Sequence, residues 1–270
     1  MQELSVLVTR PEQQATGLIA ALAERNWVAL PFATLKIQPL SIEGAEKQKI
    51  FDLDRYAVII CVSANAASLA MEHITDVWPQ MPVQQTWVAV GPASAAALAE
   101  WGVQSVVPPA SSDSEGLLSL DCLQSVDDQK ILILRGRGGR ELISKALRSR
   151  GATVDYLELY ERSVPDTELK DLVHWLETSA SRVGANVDTV PNQVVTATSG
   201  DALKHLLGMI AGHAKHDVLK AALLKLPTVV VSERLREYAQ SLGFQTIWVA
   251  EGASNAALVK CIGDHLHHRA

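Results

Sequence analysis

The chain has 270 residues, of which 48% are hydrophobic and 20% are charged, so it can form folded cores and carries too few charges for a disordered chain. Its net charge of −6 excludes a global basic field that would attract nucleic acid. No apolar run approaches the roughly 18 residues of a membrane span.

The first predicted strand begins within about five residues of Met1, which leaves no room for a signal peptide. The three cysteines, Cys61, Cys122 and Cys261, lie far apart and lack metal-ligand spacing. A reduced, cytoplasmic setting is therefore expected, with no membrane association.

The predicted elements begin with a strand–helix–strand unit. Residues 4–8 form an apolar strand that ends at Arg10, and a helix over about 12–25 and a strand near 28–30 follow. Residues 32–40, bracketed by prolines, are predicted to form an extended connector.

Strands and helices continue to alternate along the chain. Strands are predicted over residues 57–62, 87–90, 104–107, 131–134, 194–197, 228–231 and 246–249, most of them followed by a helix. Helices are also predicted over 116–123 and 169–176, and a surface loop over 178–192. Ser63 and Ser254 occupy positions typical of N-caps, and Gly102, Gly151 and Gly243 are predicted to end helices.

One strand–arginine–helix–strand unit occurs twice. Residues 6–11 align without a gap with residues 131–136, at an offset of 135 − 10 = 125, so that Arg10 aligns with Arg135. The following segments repeat as well, but in circularly shifted order: 58–68 resembles 194–204, and 87–110 resembles 228–253.

The shifted order predicts two α/β domains with parallel sheets. One is discontinuous, residues 1–36 plus 164–270, and the other, residues 41–158, is inserted into it. The connectors 32–40 and 157–165 would then run side by side as a two-stranded antiparallel linker.

Polar loops follow the carboxyl ends of the predicted strands, where ligands of parallel sheets bind. Most of these loops open helices, whose free N–H groups favour anions. The candidate residues are Arg10, Ser63, Ala64, Asn65, Ser94, Arg137, Thr198, Ser199, Gly200, Ser232 and Arg234. On two domains that face each other, these loops would line both walls of a cleft and suit a large ligand with several acidic groups.

Structural interpretations of the same residues stay open. Ser63, Ser199 and Ser254 could be N-caps only, the two repeat-related arginines could only bridge surface carboxylates, and Tyr160 could simply pack. The sequence contains neither a P-loop nor a nucleophile elbow nor a metal-ligand pattern. No cofactor and no metal are therefore expected, and an enzyme of this kind would act by orientation and proton transfer.

Six short motifs, in order over essentially the whole chain, resemble the uroporphyrinogen-III synthase family. They are Val8-Thr-Arg-Pro11, Val62-Ser-Ala-Asn-Ala66, Val90-Gly-Pro-Ala-Ser94, Leu157-Glu-Leu-Tyr-Glu-Arg162, Thr196-Ala-Thr-Ser-Gly200 and Val231-Ser-Glu-Arg-Leu235. The resemblance implies two flavodoxin-like three-layer α/β domains joined by a two-stranded linker. It also implies cofactor-free cyclisation of the linear tetrapyrrole hydroxymethylbilane, with inversion of ring D and loss of water, in heme and siroheme biosynthesis.

The resemblance also implies residue roles. The family's hinge tyrosine falls on Tyr160, the expected proton donor, whose phenol would face the cleft, and a hydroxylated substrate-binding residue falls on Ser94. A second hydroxylated position falls near Leu235, which has no hydroxyl, so Ser232 is the nearest substitute. The other candidate residues are expected to bind the substrate's carboxylates. A monomer is expected, with transient handover of substrate from hydroxymethylbilane synthase.

Two other classes of function fit the same topology. A non-enzymatic two-domain protein could close on a small acidic ligand and leave it unchanged. A nucleotide-dependent transferase could use residues 135–140 as a phosphate loop, although Glu141 stands where the third glycine of a dinucleotide loop is required.

Overall fold

The computed structural model describes residues 3–109, 114–139, 141–180 and 192–267. The chain divides into two compact units, which are unit 1 (Met1–Lys36 with Ser163–Ala270) and unit 2 (Ile37–Arg162). Each unit contains a five-stranded sheet with helices packed against it. The predicted α/β class with parallel sheets is confirmed.

Most strands in the described part of the chain are short, and β4, β8 and β9 are fully buried. They are β1 (Ser5–Val8), β2 (Val28–Pro31), β3 (Lys36–Pro39), β4 (Val58–Cys61), β5 (Thr86–Ala89), β6 (Lys130–Gly136), β7 (Thr153–Ser163), β8 (Gln193–Thr196), β9 (Thr228–Val230) and β10 (Ile247–Val249).

The helices of the described ranges connect these strands. They are α1 (Glu12–Ala23), α2 (Gly44–Phe51), α3 (Ala64–Thr75), α4 (Pro92–Ala99), α5 (Ser114–Leu118), α6 (Leu142–Ser149), α7 (Lys170–Ala180), α8 (Gly200–Ala211), α9 (His216–Lys225), α10 (Glu233–Ser241) and α11 (Asn255–His267). No helix among the described residues is long and apolar enough to cross a membrane.

Unit 1 has the strand order β10-β9-β8-β1-β2, and the neighbouring strands are parallel. Successive residues of a strand point to opposite sides of the sheet. Helices cover both sides, so both faces of the sheet are buried. Val6 and Val8 pack with α1 and α11, whereas Leu7 packs with α7, α8 and α9. This arrangement explains why the strand sequence is a continuous apolar run.

Unit 2 has the order β3-β7-β6-β4-β5, and it too has a core on each face. Leu132 and Leu134 of β6 pack with α3 and α4, whereas Ile131 and Ile133 pack with α5 and α6. At one edge β3 lies beside β7, where the Leu40 N–H donates to the Leu159 carbonyl at 2.9 Å.

The sequence repeat is one topology used twice. Starting from the repeated unit, the order β2-β1-β8-β9-β10 of unit 1 corresponds to β7-β6-β4-β5 of unit 2. The place of β10 is taken in unit 2 by Val106, which forms a parallel bridge with Val88.

Several local predictions differ from the structure. The strand predicted over 104–107 is reduced to that single bridge, and the helix predicted over 116–123 is divided into α5 and a 3-10 turn, Asp121–Leu123. The predicted loop over 178–192 begins inside α7, and its residues 181–191 lie outside the described ones. Helices α2 and α9 were not predicted.

Candidate active site

The serines at the helix starts act as N-caps. Each side-chain oxygen accepts a hydrogen bond from the backbone N–H three residues later: Ser63 from Ala66 at 3.1 Å, and Ser199, Ser232 and Ser254 from Ala202, Leu235 and Ala257 at 3.2 Å each. The predicted N-caps are therefore confirmed. In general, the first-turn N–H groups of an α-helix have no partners within the helix, and such groups favour anions.

The other predicted loop residues lie around these caps. Ala64 and Asn65 are the first residues of α3, and Gly200 is the first of α8. Thr198 lies just before the Ser199 cap and is half-buried, whereas Arg234 is exposed in the first turn of α10.

Tyr160 lies in β7, and its hydroxyl is 3.0 Å from the Ser63 oxygen. The strands β6 and β7 change register at this point, because Arg135 pairs with Glu158 whereas Gly136 pairs with Tyr160. Such a bulge breaks the alternation of side chains along a strand. Leu159 and Tyr160 therefore enter the same apolar core, although they are consecutive.

The Tyr160 side chain is buried, with only 1% of the residue exposed. A Cβ added at Gly136 would lie 2.7 Å from ring atoms Cε2 and Cζ, so the glycine leaves room for the ring that a side chain would occupy. The Arg137 N–H also donates to the Tyr160 carbonyl at 2.7 Å. The expectation that the phenol faces an open cleft is thus corrected, since the ring belongs to the core of unit 2.

Ser94 also differs from its expected role. It lies in the first turn of α4, and only 3% of the residue is exposed. Its hydroxyl is packed inside the unit rather than presented to a ligand.

The two repeat-related arginines have different surroundings. Arg135 is 5% exposed, its Nε donates to the Gly136 carbonyl at 3.1 Å, and its guanidinium lies 4.5 Å from the centre of the Tyr156 ring. Gly139 covers it so closely that an added Cβ would lie 2.5 Å from Nη2. Arg135 therefore holds the glycine-rich loop in place.

Arg10 is half-buried in unit 1 and bonds to neutral acceptors. Its Nη1 donates to Asn255 Oδ1 at 2.6 Å, and its Nη2 donates to the Ala253 carbonyl. Burial lowers the pKa of the guanidinium from its usual value. Across the described ranges no carboxylate forms an ion pair with it, so the surface-bridging interpretation does not describe Arg10.

Arg137 does bridge surface carboxylates. Its side chain is 58% exposed, and its nitrogens lie 3.2 Å from Glu161 Oε2 and 3.6 Å from Glu158 Oε2. Exposed pairs of this kind contribute about 0–1 kcal/mol, so a substrate carboxylate could displace them.

Two residues near the loops were missed by the sequence reasoning. His205 Nδ1 lies 2.9 Å from the Thr34 carbonyl, and because a carbonyl only accepts, Nδ1 carries the proton. Tyr238 packs against Gly200, where an added Cβ would lie 3.0 Å from the ring. Spacing could not reveal His205, since its partner is a backbone carbonyl. Tyr238 could have been found more easily, because it lies four residues after the predicted site residue Arg234, and residues at that spacing share one face of a helix.

Within the described ranges, no three His, Cys, Asp or Glu side chains lie close enough together to hold a metal ion. The side chains around the carboxyl ends of the strands include hydroxyls, guanidiniums and a phenol, together with the carboxylates of Asp201 and Glu233 in the first turns of α8 and α10. They can bind anions and move protons.

Fold and site together define a class of protein: a two-unit α/β protein with serine-capped helix starts and a buried, hydrogen-bonded tyrosine. A family model described as uroporphyrinogen-III synthase HemD matches residues 17–260. The uroporphyrinogen-III synthase of Escherichia coli (strain K12) is 31% identical over 265 residues, covering 96% of this chain and 100% of the relative. The chain belongs to the uroporphyrinogen-III synthase family.

Other relatives agree with this assignment. The uroporphyrinogen-III synthase of Salmonella typhimurium is 29% identical and covers 96% of this chain and 100% of the relative. Two solved structures share the fold. A mutant uroporphyrinogen III synthase from Thermus thermophilus has a TM-score of 0.62 at 16% identity, covering 98% of this chain and 99% of its own. Uroporphyrinogen-III synthetase from Helicobacter pylori has a TM-score of 0.57 at 11% identity, covering 98% and 100%.

Proposed function

We propose that the protein is a lyase that cyclises hydroxymethylbilane to uroporphyrinogen III, with inversion of ring D and loss of water. The observation that carries this proposal is the family match over almost the whole chain, at 31% identity to the Escherichia coli enzyme. The hydrogen-bonded pair Tyr160 and Ser63 supports it, because the reaction requires a proton at the leaving group.

The chemistry defines what the side chains must do. The leaving hydroxyl departs as water after it receives a proton, and a cationic azafulvene remains. The substituted carbon of the last ring attacks this cation, and the resulting spiro intermediate opens and recloses with that ring inverted. Without enzyme, the unsubstituted carbon reacts and gives isomer I, so the enzyme works chiefly by orientation. Tyr160 is the proposed source of the proton.

The proposed carboxylate-binding groups are the first-turn N–H groups of α3, α8 and α10, together with Arg10 and Arg137. Arg10 is suited to this role because its two hydrogen-bond acceptors are neutral and leave its charge unpaired among the described residues. Charge-assisted hydrogen bonds to carboxylates are about twice as strong as neutral ones. Ser94 is not among the proposed groups, since its hydroxyl is buried.

The proposed working form is a monomer that takes hydroxymethylbilane from hydroxymethylbilane synthase by transient handover. The reactivity of the substrate supports rapid transfer, because free hydroxymethylbilane closes to isomer I without enzyme.

The test is incubation of the protein with freshly made hydroxymethylbilane, followed by separation of isomers I and III. We expect isomer III from the wild type. Tyr160→Phe is expected to lower turnover by about 10²-fold or less, because water or Ser63 can partly replace a general acid. Isomer I alone, or tetrapyrrole bound and returned unchanged, would contradict the proposed activity and favour a binding protein.

A further inference from the structure

We propose that Ser63 is the catalytic residue that donates the proton to the leaving hydroxyl, and that Tyr160 acts only through Ser63. This inference rests on the proposed cyclisation of hydroxymethylbilane. Tyr160 is then a positioning residue that supplies the proton from inside unit 2, and Ser63 is the group that touches the substrate.

Access to the two hydroxyls is the first argument. Only 1% of Tyr160 is exposed, and its ring is enclosed by the core of unit 2 and the backbone of Gly136. Its hydroxyl lies 3.0 Å from the Ser63 oxygen. Ser63 is only partly buried, at the start of α3. Ser63 is therefore partly open to the surface in this conformation, whereas the phenol is covered.

The hydrogen-bonding capacity of Ser63 is the second argument. A serine hydroxyl has two lone pairs and one proton. One lone pair accepts the Ala66 N–H at 3.1 Å. If the other accepts the phenolic O–H of Tyr160, the proton of Ser63 remains free to point away from both partners. The serine is thereby prepared as a donor, because both of its acceptor sites are filled by donors that make its proton more acidic.

The proton balance closes over one turnover. The C–O bond of the substrate breaks, its electron pair leaves with the hydroxyl, and that hydroxyl takes the Ser63 proton to form water. Ser63 takes the proton of Tyr160 at the same time. When the inverted ring closes, its ring carbon forms the new C–C bond and loses a proton, which returns through Ser63 to Tyr160.

Variants of both residues test whether Tyr160 acts through Ser63. Ser63→Ala is expected to lower kcat by about 10²-fold, with little change in KM, because a general acid typically contributes about 10²–10⁴-fold. Ser63→Thr keeps both the cap and a hydroxyl, so it should stay within about fivefold of the wild type. Tyr160→Phe should lower kcat in the wild-type background and cause no further loss in the Ser63→Ala background.

Ser254→Ala is the matched control, because Ser254 caps α11 through the Ala257 N–H at 3.2 Å, and the substitution leaves in place both groups that accept from Arg10, the Ala253 carbonyl and the Asn255 side chain. It should lose a similar amount of stability and keep wild-type turnover. Two results would overturn the inference: Ser63→Ala behaving like Ser254→Ala, or Tyr160→Phe costing the same factor in both backgrounds. Ser63→Thr gives a folded hydroxyl-bearing variant even if Ser63→Ala does not fold, and a loss of turnover in it as large as in Tyr160→Phe would also count against the inference. If the wild type forms no isomer III, the proposed function itself fails, which is a separate outcome.

Discussion

At the residue scale, Gly136 determines where the Tyr160 ring can lie. Other residues could adopt the backbone conformation of Gly136. Glycine is required there because a side chain would have no space. A methyl group there would lie 2.7 Å from Cε2 and Cζ and 3.1 Å from the hydroxyl oxygen, closer than carbon atoms approach. The absence of a side chain at position 136 therefore sets the distance between the phenol and Ser63.

We predict that Gly136→Ala lowers kcat about as much as Tyr160→Phe, because the displaced ring no longer reaches Ser63. Gly208→Ala is the control, since an added Cβ at Gly208 meets nothing within 4 Å and lies inside α8. Isomer assays on both variants, with circular dichroism to verify folding, measure the effect. Wild-type turnover by a folded Gly136→Ala protein would contradict the assigned contact.

The sequence could predict the caps but not the position of the phenol. Ser63 and Ser254 were identifiable because a cap depends on its own helix, within three residues. The burial of Tyr160 depends on a register change between two strands, and no local pattern shows where a bulge falls. For the same reason the hydrogen bond between residues 63 and 160, which are 97 positions apart, was not foreseen.

At the element scale, the strands were predicted best because both faces of each sheet are buried. Continuous apolar runs such as residues 131–134 have few alternative conformations in a parallel sheet. The missed helices α2 and α9 lack this signal. In the eight residues of α2 only Ile50 is buried, and α9 begins after Lys215 without a side-chain cap. Their helical state depends on packing that the sequence does not show.

The end of helix α6 gives a prediction at this scale. Gly151 has φ +89°, and an added Cβ would lie 1.9 Å from Asp127 Oδ1. We expect Gly151→Ala to lower the free energy of unfolding by at least the roughly 1–2 kcal/mol that a left-handed conformation costs a residue with a side chain. Urea denaturation of the wild type and the variant measures this difference in the free energy of unfolding.

The control for that experiment is Gly212→Ala at the end of α8, where φ is −83° and an added Cβ meets nothing within 4 Å. It should leave the free energy of unfolding nearly unchanged. If the two substitutions lower the free energy of unfolding equally, the left-handed conformation and the contact with Asp127 do not make Gly151 necessary for stability.

At the scale of the whole molecule, the chain builds four apolar clusters among its described residues, and none of them mixes residues from the two units. Two clusters contain only residues of unit 2, and the other two contain only residues of unit 1. The repeat predicts two domains, because a unit used twice carries its own two-faced sheet each time. A single core for 270 residues would also exceed the usual size of one domain.

Separate cores predict separate local stabilities. Leu132 and Leu206 are both fully buried, the first in unit 2 and the second in unit 1. Replacing a buried leucine with alanine typically costs about 2–5 kcal/mol, through lost burial and the cavity that remains. That loss falls on the unit whose cluster contains the residue, so the amides of the other unit should keep their protection.

Native-state hydrogen exchange measures the protection of the amides in each unit. We expect Leu132→Ala to speed exchange in β4, β6 and β7 while β1 and β8 exchange as in the wild type, and Leu206→Ala to give the reverse pattern. The two variants serve as controls for each other, because the side chain, the substitution and the degree of burial are the same. If either variant speeds exchange equally in β1 and β6, the two units unfold as one, and the division of the core into two independent parts does not describe the stability of the protein.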